Sequence, residues 1–528
     1  MTQNEMNNIL IRFSKRAEKI DENMLVQSFV DVGPLFSVLN TFDNQVIYGR
    51  RGTGKTHALK YLMKQRAEKD IVVYIDLRNI GSSGGIYSDN NIPVTERATR
   101  LLVDTLTEIH EKIYTIAVEN KFGFDLSVLG SDLDKFAEVI TNVKVIGDYE
   151  VVNDIGNKAT EESETGISVK IGKPEFQIGL NDNIKNITES GERKSTKQNG
   201  VLRHSVHFGA LSNVLNKLIN NIGGHRLFVL LDEWSSVPID LQPYLADLLR
   251  RSIFPINKIS VKIAAIEKRS QFRFILDRGD YIGIELGCDA SVDINLDDYM
   301  LFDNDEQRAS LFFQSLIYRH FIATALEDNQ KDYPASQEKL ISDLFTRSDV
   351  FSEFVRATEG IPRDAFSILS NAAQNSSGNK ISMDDIRKSS RIWYQRDKEP
   401  AVSANGNASE LLHWIIDEVI RHRQSRAFLL ESKQQDDLID TLFDARVLHL
   451  LKHNISSHDN PGIRYDAYKI DYGCYVDLLA TSRAPRGLME LDDGGFVQVP
   501  PDDYRAIRRA ILDLKEYEKN NGISKFQG

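Results

Sequence analysis

One segment, GRRGTGKT at 49–56, constrains what this chain can fold into more than any other feature. The segment fits the pattern G-x-x-x-x-G-K-[ST] at every fixed position, and its glycines let backbone N–H groups turn inward around phosphates. The apolar run QVIY precedes it and a helical pattern follows, so the positive end of a helix would face bound phosphates. The sequence therefore predicts a strand, a phosphate-binding loop and a helix, in that order.

The predicted loop assigns separate tasks to two neighbouring residues. Lys55 is expected to reach the β and γ phosphates of ATP, which makes it both a binding and a catalytic residue. Thr56 is expected to offer its hydroxyl to Mg²⁺. The complete predicted nucleotide-binding set is Gly49, Arg50, Arg51, Gly52, Thr53, Gly54, Lys55, Thr56 and His57.

A pair of carboxylates ends a second apolar run, LFVLLDEW. Asp232 is expected to bind Mg²⁺ through water, and Glu233 to orient and deprotonate the water that attacks ATP. An acidic turn after a strand is also a common structural feature. Beside an intact phosphate loop, however, the pair favours hydrolysis, so the sequence predicts an ATPase with ATP and Mg²⁺ as its cofactors.

Short apolar runs alternate with helical patterns along the first 300 residues. The strands are predicted at QVIY, IVVYID (71–76), HRLFVLLDE (225–233) and ISVKIAAI (259–266), with helices at 57–69 and 241–253. Nearly uninterrupted apolar strands of this kind indicate a parallel sheet covered by helices on both faces. The predicted fold class is therefore α/β.

The domain prediction follows from shifts in composition. Residues 1–300 are assigned to the nucleotide-binding core, with a polar insertion around 80–205 that holds helices near 94–119 and 131–142 and a hairpin at 167–180. Helical patterns fill 301–395. A linker at 396–410, rich in Pro, Gly, Asn and Ser, precedes a C-terminal domain at 405–528.

Composition excludes several classes of protein. The chain of 528 residues has two cysteines, Cys288 and Cys474, too few for a disulfide framework or a four-ligand zinc site. It has neither an apolar run long enough to span a membrane nor a secretory signal, so a cytoplasmic protein without membrane contact is expected. The net charge of -12 restricts any contact with DNA to a local basic patch.

The stretch TEGIPRDAFSIL (358–369), together with the order of loop, acidic strand, later strand and helices, resembles the AAA+ ATPases. Within them it is similar to the initiator type, such as the origin recognition complex-like ATPases, over about residues 10 to 395. The resemblance implies an AAA+ core with a helical lid, and makes Arg363 the lid arginine that reports the γ-phosphate. A purely structural arginine paired with Asp364 or Glu359 is the alternative.

The same resemblance implies assembly into a ring or filament in which an arginine of one subunit completes the site of its neighbour. Arg278, in FILDRGDYIGIEL, is predicted for that role as a catalytic residue, with Arg250 and Arg251 as competitors. The chain departs from the family at Glu267, where a polar, uncharged residue is usual. Its carboxylate would repel phosphates unless Lys268, Arg269 or the metal neutralises it, so slow hydrolysis or an ATP-dependent switch is expected.

The C-terminal pattern predicts helices at ELLHWIIDEVIRHR and KQQDDLIDTLFD, then two strand-like runs, RVLHLLKHNI and YDAYKIDYGCYVDLL. Helices followed by a β-ribbon predict a winged-helix-like domain, which initiator-type AAA+ proteins often carry. Double-stranded DNA could then meet the predicted wing residues Lys452, His453 and Arg464.

Charge argues against reading of a DNA groove by the second of these helices, because it carries Asp436, Asp437, Asp440 and Asp444. Docking of a partner protein, or DNA contact through the wing and the RAPRG segment alone, is an equal alternative. His449 and His453 fall in a predicted strand and are expected to be surface or core residues rather than zinc ligands.

Two hypotheses on function follow. In the first, the protein binds and hydrolyses ATP and couples its nucleotide state to oligomer assembly on DNA or on a partner protein. In the second, it is an ATPase sensor of a bacterial antiviral defence system that signals through protein interactions without reading DNA. Both require a triphosphate and its magnesium ion between Lys55 and Asp232.

Overall fold

A computed structural model describes most of the chain. The described ranges are 1–13, 21–31, 33–80, 86–120, 122–140, 143–146, 149–154, 193–198, 201–204, 206–276, 279–297, 305–327, 333–423, 425–433, 436–456, 462–479 and 511–521. They form two compact units, one of residues 1–79 and 222–528 and the other of residues 80–221.

The larger unit is built on a five-stranded parallel sheet. Its strands are β1 (Gln45–Tyr48), β2 (Ile71–Asp76), β3 (Leu227–Asp232), β4 (Ile259–Ala265) and β5 (Ser291–Asn295), in the order β5-β1-β4-β3-β2. Every residue of β1, β3 and β4 is buried, as expected for strands covered on both faces. The predicted α/β fold class is confirmed.

Helices cover this sheet and join it to the lid. The phosphate-loop helix is α1 (Lys55–Arg66), and the lid helix that carries Arg363 is α2 (Pro362–Asn375). One apolar core includes side chains from α1, β3 and α2, among them Leu59, Phe228 and Leu369. The other α-helices described in the core and lid are Gln3–Ile11, Glu22–Ser28, Leu35–Leu39, Gln242–Leu248, Glu306–Glu327, Gln337–Leu344, Ser348–Ala357 and Met383–Trp393, and a π-helix spans Leu249–Ile253.

The smaller unit contains the predicted insertion. It has the helices Val94–Glu119, Leu126–Ile140 and Phe208–Asn221, and two antiparallel strand pairs, Val143–Ile146 with Val201–His204 and Tyr149–Asp154 with Arg193–Gln198. The second helix begins five residues before the predicted start at 131, because Asp125 receives the backbone N–H of Ser127 at 3.0 Å and thereby initiates it earlier. The hairpin predicted at 167–180 lies outside the described residues.

The predicted linker at 396–410 is wrong as a loop, because helices run through it. A π-helix at Tyr394–Lys398 continues into the helix Glu399–Ser403, whose first turn contains Pro400. The next helix, Gly406–Ile416, is capped by the side chain of Asn405, which accepts the N–H of Ala408 at 3.2 Å. Pro400 lies in the first turn of one helix and Asn405 caps the next, and these are helix positions that proline and asparagine favour.

The C-terminal module, residues 406–521 as far as they are described, confirms the winged-helix-like expectation. Its strands β6 (Ala427–Glu431), β7 (Leu448–Ser456) and β8 (Arg464–Ile470) form an antiparallel sheet in the order β6-β8-β7. Helix α3 (Asp437–Asp444) lies between β6 and β7 along the chain. Two more helices span Tyr472–Leu479 and Leu514–Asn521.

Two details of the predicted module are wrong. The prediction lacked β6. The run YDAYKIDYGCYVDLL is not one strand, because the strand ends at Ile470 and the carboxylate of Asp471 then accepts the N–H of Cys474 at 3.1 Å, which begins a helix. No helix within the described ranges is both long enough and apolar enough to cross a membrane.

Candidate nucleotide-binding site

The phosphate loop lies between the end of β1 and the start of α1. Gly52 and Gly54 have φ angles of 89° and 102°, in the left-handed region that favours glycine, so the backbone can curl without steric strain. Thr53 closes the curl, since its hydroxyl donates to the carbonyl of Arg50 at 2.9 Å. Helix α1 begins at Lys55 rather than at the predicted residue 57.

The amine of Lys55 is folded back into the loop. It donates to the carbonyl oxygens of Gly49 at 2.6 Å and Arg50 at 3.0 Å. Burial lowers the pKa of Lys55, and the negative charges of Asp297, Glu233 and Asp232 oppose that shift. The lysine thus lies within the electrostatic reach of the acidic pair.

Sheet topology explains that proximity. β1 and β3 flank β4, and all three strands run parallel, so the phosphate loop and the Asp232–Glu233 turn follow the same edge of the sheet. Two strand spacings correspond to about 10 Å. A triphosphate with its metal ion can bridge such a gap.

Asp232 is fully buried and both of its carboxylate oxygens are engaged. Oδ1 accepts the N–H of Glu233 at 2.8 Å, and Oδ2 accepts the hydroxyl of Tyr74 at 2.7 Å. Burial and the charge of Asp232 raise the pKa of Tyr74, so its phenol remains a proton donor. Each oxygen retains a lone pair, and hydroxyl and carboxylate oxygens are ligands that suit Mg²⁺. The residues present therefore fit ATP with magnesium.

Glu233 has a backbone conformation that is unusual for its residue type. Its φ of 56° lies in the left-handed region, and such strain in a non-glycine residue is concentrated at functional sites. Its carboxylate lies 3.9 Å from the guanidinium of Arg78, which also binds Asp76 at 2.6 Å. The side chain is partly exposed, which leaves it accessible to water.

The lid reaches the loop through Arg363. Its backbone N–H donates to the carbonyl of Gly52 at 3.2 Å, and a Cβ on Gly52 would come within 2.6 Å of the Arg363 Cβ. The partners expected for a purely structural arginine are engaged elsewhere. Asp364 pairs with Arg446 and Lys398, and Glu359 pairs with Arg426 and Lys469.

Arg50 faces the C-terminal module and not the interior of the loop. Asp297 accepts its backbone N–H and its Nε, both at 2.9 Å. Its NH1 contacts Nδ1 of His449, and its guanidinium lies over the ring of Phe443, 5.3 Å from the centroid. Sequence reasoning missed His449 and Phe443 as neighbours of the loop, since nearly 400 residues of chain separate them from it.

The C-terminal module also contacts the end of β4 beside Glu267, which the sequence predicts to repel phosphates unless Lys268, Arg269 or the metal neutralises it. Lys268 and Arg269, the predicted neutralising residues, pair instead with Asp440 and Asp444 of α3. His453 takes their place beside Glu267, with Nε2 3.7 Å from its carboxylate. Two of the four acids that argue against groove reading, Asp440 and Asp444, are thus partners of the core.

Spacing alone would allow Glu359, His449 and Asp471 to hold a metal ion. Their ligand atoms already have cationic or hydrogen-bonded partners, however. Lys469 and Arg426 lie 2.6 Å from Glu359, and Lys398 lies 2.5 Å from Asp471. A divalent ion would have to displace these ammonium and guanidinium groups, so the cluster is a set of ion pairs.

Three arginines are candidates for completing the nucleotide site of a neighbouring subunit. Arg278 lies outside the described residues. Arg250 is engaged by Asp247 at 2.8 Å and by the Tyr281 hydroxyl at 3.1 Å, and Arg251 pairs with Asp247 at 2.7 Å. The side chain of Arg251 is half exposed.

The part of the chain that carries the phosphate loop is similar to a known protein family. Residues 13–74, which include β1, the phosphate loop and α1, match the family model of ORC-CDC6-like proteins. No curated protein sequence matches the chain.

Three solved structures align with most of the chain at low similarity. The Walker-type ATPase paby2304 of Pyrococcus abyssi is 11% identical with a TM-score of 0.37, covering 89% of this chain and 100% of its own. Cdc6p from Pyrobaculum aerophilum is 12% identical with a TM-score of 0.29, covering 88% and 98%. The Aeropyrum pernix Orc1 protein in complex with DNA is 11% identical with a TM-score of 0.31, covering 89% and 96%.

TM-scores this low establish neither fold nor function, so the fold rests on the sheet and the loop described above. The family match confirms the resemblance that the sequence motifs indicated. Over residues 13–74, which hold its phosphate loop, the chain is similar to the ORC-CDC6-like proteins.

Proposed function

We propose that this protein binds ATP with Mg²⁺, hydrolyses it slowly, and couples its nucleotide state to assembly of several copies on double-stranded DNA or on a partner protein. The observation that carries the proposal is the common sheet edge of the phosphate loop and the Asp232–Glu233 turn. A strained, partly exposed glutamate beside a buried, hydrogen-bonded aspartate suits activation of water next to a metal ligand.

In this proposal each residue has one task. Lys55 leaves the carbonyls of Gly49 and Arg50 to contact the β and γ phosphates, while Thr56 and Asp232 hold the metal. Mg²⁺, when bound, offsets charge on the phosphates. Glu233 accepts the proton of the attacking water, and Arg363 carries the state of the γ-phosphate into the lid.

Slow turnover is supported by the surroundings of Glu267. A carboxylate at the end of β4 opposes the approach of phosphate, and His453 of the C-terminal module lies 3.7 Å from it as a compensating group. The compensation depends on the position of that module, so hydrolysis would vary with its docking.

The enzymatic part is tested with Lys55→Ala and Glu233→Gln, with Lys64→Ala on the same helix as the exposed control. We expect Lys55→Ala to abolish nucleotide binding. Glu233→Gln should bind ATP normally and hydrolyse it about 10² to 10⁴ times more slowly, as for loss of a general base. Normal ATP turnover by purified Glu233→Gln protein would refute the mechanism.

The assembly part is tested by measuring particle size with and without a slowly hydrolysed ATP analogue. Larger particles with the analogue support it, whereas the same size in every nucleotide state refutes it. Binding of duplex DNA is measured by fluorescence anisotropy at several salt concentrations, with Lys452→Glu and Arg464→Glu on the exposed ribbon as test variants.

The second candidate is a defence sensor that signals through protein contacts. It is favoured by α3, because Asp440 and Asp444 pair with Lys268 and Arg269 of the core and this side of the helix is therefore occupied. ATPase stimulation by DNA with a steep salt dependence would favour the first function. Indifference to DNA at every salt concentration would favour the second.

A further inference from the structure

Arg50 occupies a variable position of the phosphate-loop pattern, yet its side chain is buried and has several partners. It is 2% exposed and is held by Asp297, His449 and the ring of Phe443. Asp297 follows β5 in the core, whereas His449 and Phe443 belong to the C-terminal module. The loop therefore has one fixed contact in its own domain and another in the module.

The chemistry of the contact with His449 defines the state of the imidazole. Arginine can only donate hydrogen bonds, so Nδ1 of His449 must accept. The proton is then on Nε2, which donates to Asp471 at 3.0 Å. Burial, together with the charge of Arg50, lowers the pKa of His449 to about 3, which keeps the ring neutral. Lys398, 2.5 Å from Asp471, completes the series.

Water cannot replace these contacts. His449 and Asp471 are at most 1% exposed, and Lys398 is 2% exposed. In a low-dielectric interior, loss of one partner leaves the others with unpaired charge or an unsatisfied polar atom. The position of Arg50 therefore depends on the position of β7, which carries His449.

The link extends to the catalytic lysine. The carbonyl of Arg50 accepts both the Lys55 amine at 3.0 Å and the Thr53 hydroxyl at 2.9 Å. A displacement of Arg50 would thus move the carbonyl that holds Lys55 and Thr53, and with it the part of the loop in which Lys55 would contact phosphates. Arg50 alone therefore links the two, because its guanidinium contacts the C-terminal module and its carbonyl binds the Lys55 amine.

We propose that His449 is a positioning residue of the nucleotide site: by holding Arg50, it makes the conformation of the phosphate loop, and hence the affinity for a triphosphate, depend on docking of the C-terminal module. This inference rests on the proposed function, because it names the regulation of the same site. Nucleotide binding and module docking then influence each other through a single arginine.

The test compares His449→Leu, which keeps the approximate volume but loses both ring nitrogens, with His449→Asn, which retains an acceptor. His413→Leu, at an exposed position of the same module, is the matched control. We expect His449→Leu to weaken binding of a fluorescent ATP analogue roughly tenfold, as for loss of a hydrogen bond to a charged group. His449→Asn should restore most of the affinity, and the control should match the wild type.

A double-mutant cycle separates positioning from general destabilisation. Arg50→Met should weaken binding by a similar factor, and adding His449→Leu to it should change binding by less than about twofold. Additive effects in the cycle, or unchanged affinity in folded His449→Leu protein, would overturn the proposal. If His449→Leu does not fold, the folded Arg50→Met protein decides, and unchanged ATP affinity in it would overturn the proposal.

Hydrogen exchange of residues 49–54 without nucleotide supplies a second readout. The proposal expects faster exchange there in His449→Leu and wild-type exchange in His413→Leu. If the wild type fails to bind ATP, the proposed function fails, but altered exchange in the loop would still establish the coupling. Unaltered exchange together with normal ATP binding would remove only the coupling.

Discussion

The imidazole of His453 lies 3.7 Å from the carboxylate of Glu267 and 3.6 Å from that of Asp466. The two carboxylates raise the pKa of His453 to about 10, so the ring is cationic at neutral pH. Glu267, which would otherwise repel phosphate at the end of β4, is thereby compensated from another domain. The charge balance of the site includes a residue that no catalytic motif contains.

The first prediction concerns pH and His453. Because its pKa in the folded protein is above the ordinary value of 6.5, its contribution to stability is complete below about pH 6.5 and is lost as the pH rises through about 10. His453→Gln should therefore lower the melting temperature at pH 6.5 by a few degrees and much less at pH 10.

Thermal unfolding of both proteins from pH 6 to pH 10 checks this difference. The comparison must be made with the variant, since burial lowers the pKa of Lys262 to about 7 and adds an opposite pH dependence to both proteins. Parallel curves for wild type and His453→Gln would contradict the assignment.

The second prediction concerns Tyr74. Tyr74→Phe removes the hydrogen bond from the phenol to Oδ2 of Asp232, so that the bond from the Glu233 N–H to Oδ1 is left to orient the carboxylate. The Mg²⁺ concentration that half-saturates ATP binding should rise about tenfold or more, as for the loss of one hydrogen bond to a charged group. Nucleotide affinity in EDTA should change little. Tyr318→Phe, whose hydroxyl bonds Pro334 at 3.3 Å, is the control, and an equal magnesium dependence in both variants would exclude the role.

The third prediction concerns the buried ion pairs around Lys398. Its amine lies 2.9 Å from Asp364 and 2.5 Å from Asp471, and all three side chains are at most 2% exposed. Lys398→Met leaves two buried carboxylates with one partner fewer and should cost about 3–5 kcal/mol in denaturant unfolding. Lys388→Met, at an exposed position of the neighbouring helix Met383–Trp393, should change stability by less than about 0.5 kcal/mol. Similar values for both variants would contradict the prediction.

The fourth prediction concerns Gly52. Its φ of 89° disfavours any other residue, and an added Cβ would clash with Arg363. Gly52→Ala should therefore push the lid from the loop and weaken ATP binding by about tenfold or more. Gly406→Ala offers a matched comparison, because a Cβ there meets no atom within 4 Å and the residue begins a helix. Normal ATP affinity in Gly52→Ala would show that lid and loop are not in tight contact.

Local patterns were sufficient for four strands of the sheet and for its two acidic residues. The prediction lacked β5, because its residues SVDIN include Ser, Asp and Asn and form no apolar run. The runs IVVYID and LFVLLDE contain only apolar residues up to their final acids, so period and length leave one interpretation, and the structure places both as strands. The phosphate loop is similarly local, because one segment carries all of its glycines and its lysine. Short-range sequence determines these features.

Contacts between distant segments escaped prediction for a physical reason. Nothing in the sequence near Arg50 indicates His449, because their contact depends on how two domains pack. Proximity in sequence suggests Glu359 as a partner of Arg363, but the fold pairs Glu359 with Arg426 and Lys469. A sequence motif can identify a functional charged residue, but the tertiary structure determines which residue pairs with it.

The ion pairs between the C-terminal module and the core differ in their exposure to solvent. Those at α3 and the ribbon, Lys268–Asp440 and His453–Glu267, are about one-third exposed, whereas Arg446–Asp364 and Arg426–Glu359 are almost fully enclosed. Dissolved ions screen the first group and hardly reach the second. Rising ionic strength would therefore weaken the contacts of α3 and the ribbon with the core first, while the buried ion pairs with the lid would still hold the module in place.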